Sequence, residues 1–247
     1  QFTAPINVAI PSGNFGNAYS AWFGRKHGLK INEILCSTNV NDVLRRFIDG
    51  GVLEPLVTQP SVAPSMDIQI PSSLERLIFD LSSDAKSFYG QLQTNSIAQL
   101  DEKSIDVLQN VFSSFTFTNE SITNLIQSLH DEFDIVFDPH SVTSVQMALD
   151  NDSSLPTVAV ATASPEKFGN VISPLIKDFA ETKIEEKEQY LTLSTENAEI
   201  IEAIKSTTMM NTNHQSALIL IANAAVNPTK VTKVASARVC AVLAIAL

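Results

Sequence analysis

Apolar positions along the chain change period several times, and each change predicts an element. Ile6-Asn7-Val8-Ala9-Ile10 is a short β-branched run closed by Pro11, as expected for a buried strand that enters a turn at once. Over residues 17–27 the spacing becomes helical, with Ala18, Trp22 and Phe23 on one face and Gly28 placed to end the helix. Residues 31–36 predict a second strand. Asn39 or Asn41 is placed to cap a helix through Val43, Leu44 and Phe47 up to Gly50-Gly51. Strand and helix in alternation favour an α/β fold, a parallel sheet with flanking helices that takes its ligands at the carboxyl ends of the strands.

Residues 57–71 hold Pro60, Pro64 and Pro71 among small polar residues and read as a long loop. A helical segment follows over about residues 72–130. Leu74, Leu77, Ile78 and Leu81 lie at helical spacing, and Ile105 to Phe112 and Ile122 to Leu129 suggest two further amphipathic helices. The alternation then returns: Ile135-Val136-Phe137 leads into Asp138-Pro139-His140 and a helix through Val145 and Leu149. Residues 158–161 form a strand ending at Thr162, and Pro165 is placed to open another helix. No internal repeat of fixed period is present.

Charge narrows the partners. The 27 acids against 16 bases give the 247 residues a net charge of −11, which repels polyanions, so nucleic acid is not an expected partner. A phosphorylated ligand must then be held by local backbone geometry. Cys36 and Cys240 lie too far apart for a CxxC pair and fit free thiols in a reducing compartment, which with the family below gives a cytoplasmic expectation. His27, His130, His140 and His214 show no metal-ligand spacing, so no metal site is expected. Residues 216–247 contain three bases and no acid, leaving residues 1–215 three charges more negative than the whole. Their two apolar runs, 216–226 and 234–247, are each shorter than the roughly 18 residues that span a bilayer. No membrane contact is expected, and a docking helix or an out-of-frame product would explain the bias. Gln1 is not an initiator residue, so the expectation is that a true start lies upstream.

The chemistry concentrates in Pro11-Ser12-Gly13-Asn14-Phe15-Gly16-Asn17, between a predicted strand and a predicted helix. Consecutive backbone N–H groups and a helix N-terminus can converge there on an anion. Gly13 and Gly16 permit the turn, and Ser12, Asn14 and Asn17 can add hydrogen bonds without charge. Spacing alone leaves open a turn whose glycines meet only steric needs. A nucleoside triphosphate P-loop is unsupported, since GxxxxGK[ST] is lacking.

Residues 11–17 are similar to the phosphate-cradling segment of threonine synthases, members of the tryptophan-synthase-like class of pyridoxal 5'-phosphate (PLP) enzymes. Four further segments agree in order. Cys36-Ser37-Thr38-Asn39-Val40-Asn41-Asp42 resembles the family's Thr-Asn-x-Asn-Asp stretch. Pro64-Ser65-Met66-Asp67-Ile68 with Leu74-Glu75-Arg76-Leu77 resembles its next one. Asp138-Pro139-His140-Ser141 and Ala161-Thr162-Ala163-Ser164-Pro165-Glu166-Lys167-Phe168 resemble its Asp-Pro-His and Thr-Ala-His-Pro-x-Lys-Phe signatures. Together they cover roughly residues 6 to 215, and 216–247 fall outside.

The resemblance implies part of the large domain of a fold-type II PLP enzyme. Ser12, Gly13, Asn14, Phe15, Gly16 and Asn17 would hold the cofactor phosphate, and Thr162 would meet the pyridine nitrogen, its other reading being a helix cap before Pro165. The family converts O-phosphohomoserine and water to L-threonine and phosphate, the cofactor serving as electron sink. Its Schiff-base lysine lies upstream of the glycine-asparagine loop. Lys26, Lys30 and Lys167 are unconvincing replacements, so this chain holds no expected catalytic residue and is expected to be inactive without the missing N-terminal part. Ser164 stands where the family usually has histidine, which keeps open a phospho-lyase that eliminates phosphate without making threonine. His140 reads as a polar contact near the site or as a structural histidine. Asn39, Asn41 and Asp42 read as pocket support or helix caps, and Asp67 as a loop anchor. A non-catalytic phosphate-binding module is the reading from a different class.

Overall fold

A computed structural model describes residues 4–82, 84–177, 179 and 240–244, the last group as backbone. The first strand, β1 (Ile6–Pro11), is buried along almost its whole length, and its side chains divide by parity. Val8 and Ile10 enter one apolar cluster while Ala9 enters the other, as a strand covered on both faces requires. Helix α1 (Gly16–Lys26) leads to β2 (Ile31–Thr38), where Ile34 and Cys36 face the first cluster and Leu35 the second.

Helix α2 (Val43–Gly50) ends on Gly51, whose φ of 69° is left-handed. A two-stranded ribbon of β3 (Val52–Leu53) and β4 (Ala98–Gln99) brackets α3 (Leu74–Leu81) and α4 (Ala85–Asn95). Helix α5 (Glu102–Gln109) then feeds β5 (Phe112–Thr116). Trp22, Phe47, Leu77 and Leu108 fill the first cluster, under α1 to α5. The second cluster lies under α6 (Asn119–Phe133) and α7 (Ser141–Asp150), with Ile122, Ile126, Val142 and Val145 inside. Next come β6 (Thr157–Ala161), a 3-10 turn at Pro165–Phe168, and α8 (Gly169–Ile172).

The main sheet has the order β5-β2-β1-β6-β7, every pair parallel, with β7 at Cys240–Ala244. This is the expected α/β fold with a parallel sheet and flanking helices. β1 sits at its centre, with β2 and β5 to one side and β6 and β7 to the other. The strand order therefore reverses beside β1, which opens a crevice at the carboxyl ends of β1 and its neighbours.

Several expectations change. Phe23 is 49% exposed rather than part of the buried face of α1, and packs on the His27 ring at 4.0 Å. Neither Asn39 nor Asn41 caps α2; Asp42 stands at that position and makes no side-chain cap bond. Ile135, Val136 and Phe137 run outside the sheet. In the tail, residues 240–244 are a strand, not a helix, and the rest of 216–247 lies outside the described residues.

Candidate functional site

The loop between β1 and α1 does not turn on either of its glycines. Its left-handed residue is Phe15, at φ 67° and ψ 9°, directly ahead of α1. An aromatic side chain there is strained by roughly 1–2 kcal/mol. The ring is held by burial: it is 1% exposed and packs against Phe112 with centroids 5.6 Å apart. Gly13 is required for a different reason. A Cβ there would stand 2.7 Å from the Ser65 carbonyl oxygen and 3.0 Å from Met66 Cα. At Gly16 it would meet only Ser73 Oγ, at 3.7 Å, so the chain itself does not need that residue to be glycine.

Phe15 supplies no side-chain cap, and the N–H groups of residues 13–18 take no acceptor among the described residues. With no acid in its first turn and Arg25 and Lys26 in its last, α1 carries its full dipole toward this loop. The donors and the helix end open into a cavity of about 330 Å³. Residues 11–18 line it, together with Ser65, Met66, His140, Thr162 and Ala163. All seven residues expected at the cofactor, Ser12, Gly13, Asn14, Phe15, Gly16, Asn17 and Thr162, thus face one space.

Their contributions differ. The Ser12 hydroxyl donates to the Ile10 carbonyl at 3.1 Å and its N–H to that of Ser37 at 2.8 Å, so Ser12 braces the loop. Asn14 Oδ1 accepts the Ser72 N–H and hydroxyl at 3.4 and 3.3 Å, tying the loop to the start of α3. Thr162 is tied to the start of α7, donating its N–H to Ser141 Oγ at 2.9 Å. The cap of the Pro165 turn is Ser164, which removes the helix-cap reading of Thr162. Ser164 and Lys167 are exposed and do not line the cavity, and Lys26 pairs with Asp80 at 2.9 Å. No lysine or arginine lines it. Beneath the loop, burial pushes the Cys36 thiol up to about 12 against the opposing hydrogen bond of Ser12, which leaves it protonated.

Residues 61–67 form the outer wall, which the sequence did not assign to the site. The segment is fastened at its two ends by buried amides. Asn39 Nδ2 donates to Asp67 Oδ1 at 2.7 Å and to the Ala63 carbonyl at 3.1 Å, and Asn41 Nδ2 donates to Asp67 Oδ1 at 3.0 Å. Asp67 also accepts the Ser61 N–H and hydroxyl at 3.0 and 2.6 Å. Asp67 therefore anchors a loop, as expected, while Asn39 and Asn41 are its partners rather than caps. Two amides and an acid within two short segments were the available signal.

Between those ends His140 Nε2 accepts the Ser65 N–H at 3.1 Å. The proton must then sit on Nδ1, which donates to Asp138 Oδ1 at 2.9 Å. Serine, histidine and aspartate meet here in the composition of a hydrolytic triad, but Nε2 is taken by a backbone N–H, so no hydroxyl is activated. A larger depression of about 690 Å³ between α1, α3 and α4 shares no residue with this cavity.

The arrangement fits a phosphate monoester: outward N–H groups, a helix N-terminus, a glycine without steric cause at Gly16, and no carboxylate in the lining. No family model matches the chain. It is 28% identical over 203 residues to a threonine synthase of Saccharomyces cerevisiae, which covers 73% of this chain and 40% of the yeast protein. It is also 28% identical over 185 residues to a threonine synthase-like 1 protein of Macaca fascicularis, covering 72% of this chain and 25% of that one. A crystal structure of PLP-bound threonine synthase from Brucella melitensis superposes with a TM-score of 0.67 at 28% identity, covering 69% of this chain and 38% of that one. The chain thus spans well under half the length of the curated relatives it matches. In sequence and in fold it is similar to threonine synthases, one of them solved with PLP bound.

Proposed function

We propose that the chain forms the cofactor-phosphate part of a PLP-dependent threonine synthase acting in the cytoplasm. The whole enzyme would convert O-phosphohomoserine and water to L-threonine and phosphate. The observation that carries this reading is the cavity in which the unpartnered N–H groups of residues 13–18 meet Thr162 at the carboxyl end of the central sheet.

Each residue has a task in it. The N–H groups of residues 13–17 and the α1 dipole would neutralise the cofactor phosphate in an acidic protein without a fixed cation. Asn17 would add a side-chain donor. Gly16 would leave room for the phosphate to reach the backbone, and Phe15 would hold the N–H groups in a fixed curve. Thr162 would offer its hydroxyl to the pyridine nitrogen, and a neutral partner leaves that nitrogen largely unprotonated. When bound, PLP supplies an electron sink for carbanion charge.

The cavity has no lysine, and the proton-transferring lysine of the reaction would come from the enzyme's N-terminal part, upstream of residues 11–17. Residues 1–215 would belong to the enzyme and 216–247 would stand apart from it. The phospho-lyase alternative rested on Ser164, which is exposed and outside the cavity, so no observation favours it.

The test uses purified chain and PLP. Binding is expected to be reversible, with no cofactor retained after borohydride treatment and no phosphate released from O-phosphohomoserine. Covalent retention or turnover by this chain would refute the assignment of the lysine elsewhere. Absence of any PLP binding would refute the cavity.

A further inference from the structure

The wall formed by residues 61–67 reaches the phosphate loop at one place, where the Ser65 carbonyl and Met66 Cα lie against Gly13. Around that contact the buried side chains of Ala63 and Met66 pack the wall on the second cluster, but it makes few hydrogen bonds to the rest of the fold. Met66 and Asp67 donate their N–H groups back into the wall's own turn, to Ala63 and Pro64. The Asn39, Asn41 and Asp67 bonds hold its two ends, and the Val62 N–H reaches Asn119 Oδ1 at 3.2 Å. Within the turn, the bond from the Ser65 N–H to His140 Nε2 ties its exposed middle to the start of α7.

His140 is itself over-determined. It is 3% exposed, its ring lies 4.8 Å from that of Phe168, and Asp138 Oδ1 accepts both its N–H and its Nδ1–H at 2.9 Å. A buried carboxylate that takes the Nδ1 proton leaves Nε2 as an acceptor, aimed out of the core at Ser65.

We propose that His140 is a positioning residue, which fixes Ser65 as the outer wall of the cavity through Nε2 and so sets the cavity's affinity for a phosphate monoester. It need not touch the ligand to do so. If Ser65 moves away, Gly13 loses the surface it packs against, and the N–H groups beyond it lose their fixed direction, on which anion binding by neutral donors depends. This rests on the reading of the cavity as a PLP phosphate site.

The test compares wild-type chain with His140→Leu, which keeps the apolar contact with Phe168 and removes the acceptor, and with His140→Gln, which restores an acceptor. Two quantities are measured in each: hydrogen exchange at the Ser65 amide, and PLP affinity by fluorescence titration. His140→Leu is expected to speed Ser65 exchange and to weaken PLP binding, each by about tenfold or more. His140→Gln should return both most of the way. His140→Phe is the second route, since it keeps a ring against Phe168 and offers no acceptor to the Ser65 N–H.

The proposal is overturned by unchanged Ser65 exchange in folded His140→Leu or His140→Phe, or by faster exchange with PLP affinity unchanged. Wild-type chain that binds neither PLP nor inorganic phosphate would instead sink the functional reading, and with it the wall's effect on affinity. Ser65 exchange still reports on the bond in that case, so the two failures are told apart.

Discussion

Gly13 and Ser65 approach so closely that no methyl group fits between them, a Cβ on Gly13 falling 2.7 Å from the Ser65 carbonyl oxygen. The obstacle is backbone, which cannot rotate aside. Gly13→Ala should therefore cost roughly 1–3 kcal/mol, the range for forcing atoms into a packed site, and should displace the wall. Gly16→Ala meets only ordinary contact and should leave stability unchanged or raise it by up to about 1 kcal/mol. It should nevertheless weaken PLP binding by about tenfold, by standing where the phosphate approaches. Urea unfolding and PLP titration of the two variants separate a glycine needed for folding from one needed for the ligand.

Asn39 is fully buried against Asp67, so Asn39→Asp would set two carboxylates at hydrogen-bond distance and strand one acceptor. A loss of at least about 2 kcal/mol is expected near neutral pH. The loss should shrink as pH falls toward 4, where one of the pair takes a proton. A loss that does not vary with pH would show that the amide network is not the cause.

Asp80 ties α3 to α1. It accepts the Trp22 Nε1–H at 2.8 Å and pairs with Lys26 at 2.9 Å. Burial pulls its carboxyl up, but these bonds outweigh it and hold it below the usual 3.8. Asp42 is treated alike: burial raises it, and Arg45 and Arg46 bring it below that value. A lowered carboxyl stabilises the fold above its unfolded value and loses that contribution as pH drops through the folded one. Stability should hold from neutrality to about pH 4 and fall below it. Asp80→Ala should cost about 1–3 kcal/mol by orphaning the indole N–H and should flatten that acid limb, as read by Trp22 fluorescence.

Cys36 lies under the phosphate loop with no exposure and a thiol pushed up to about 12. Native protein at pH 8 should not be alkylated there, and peptide mapping should find the label at Cys36 only after unfolding. Rapid labelling in the native state would mean that the loop opens.

The sequence made β1, β2 and β6 legible because strands buried on both faces are nearly continuous apolar runs, which polar loops set off sharply. β5 was hidden. Its Phe112-Ser113-Ser114-Phe115-Thr116 lies at the β2 side of the sheet with partly exposed serines, and the apolar run before it suggested a helix that in fact ends at Gln109. The loop's residues were readable but its shape was not. Propensity put the left-handed residue at a glycine, whereas the buried contact of Phe15 with Phe112 overrides that preference. Asn39 and Asn41 looked like caps because capping is local, and their true partner, Asp67, approaches only through the tertiary fold.

The pairing of β1 with β6, Val8 opposite Val158, has a consequence for the order of folding. Closing so long a stretch of chain costs entropy that is recovered only when the strands meet, and such contacts form slowly. The helices and the β1-β2 pair can assemble early from neighbouring residues, but Thr162 reaches residues 12–17 only after β6 has docked. A phosphate ester would therefore meet the loop donors alone until β6 has paired, and the whole cavity only afterwards. It would favour the finished molecule over its early stages.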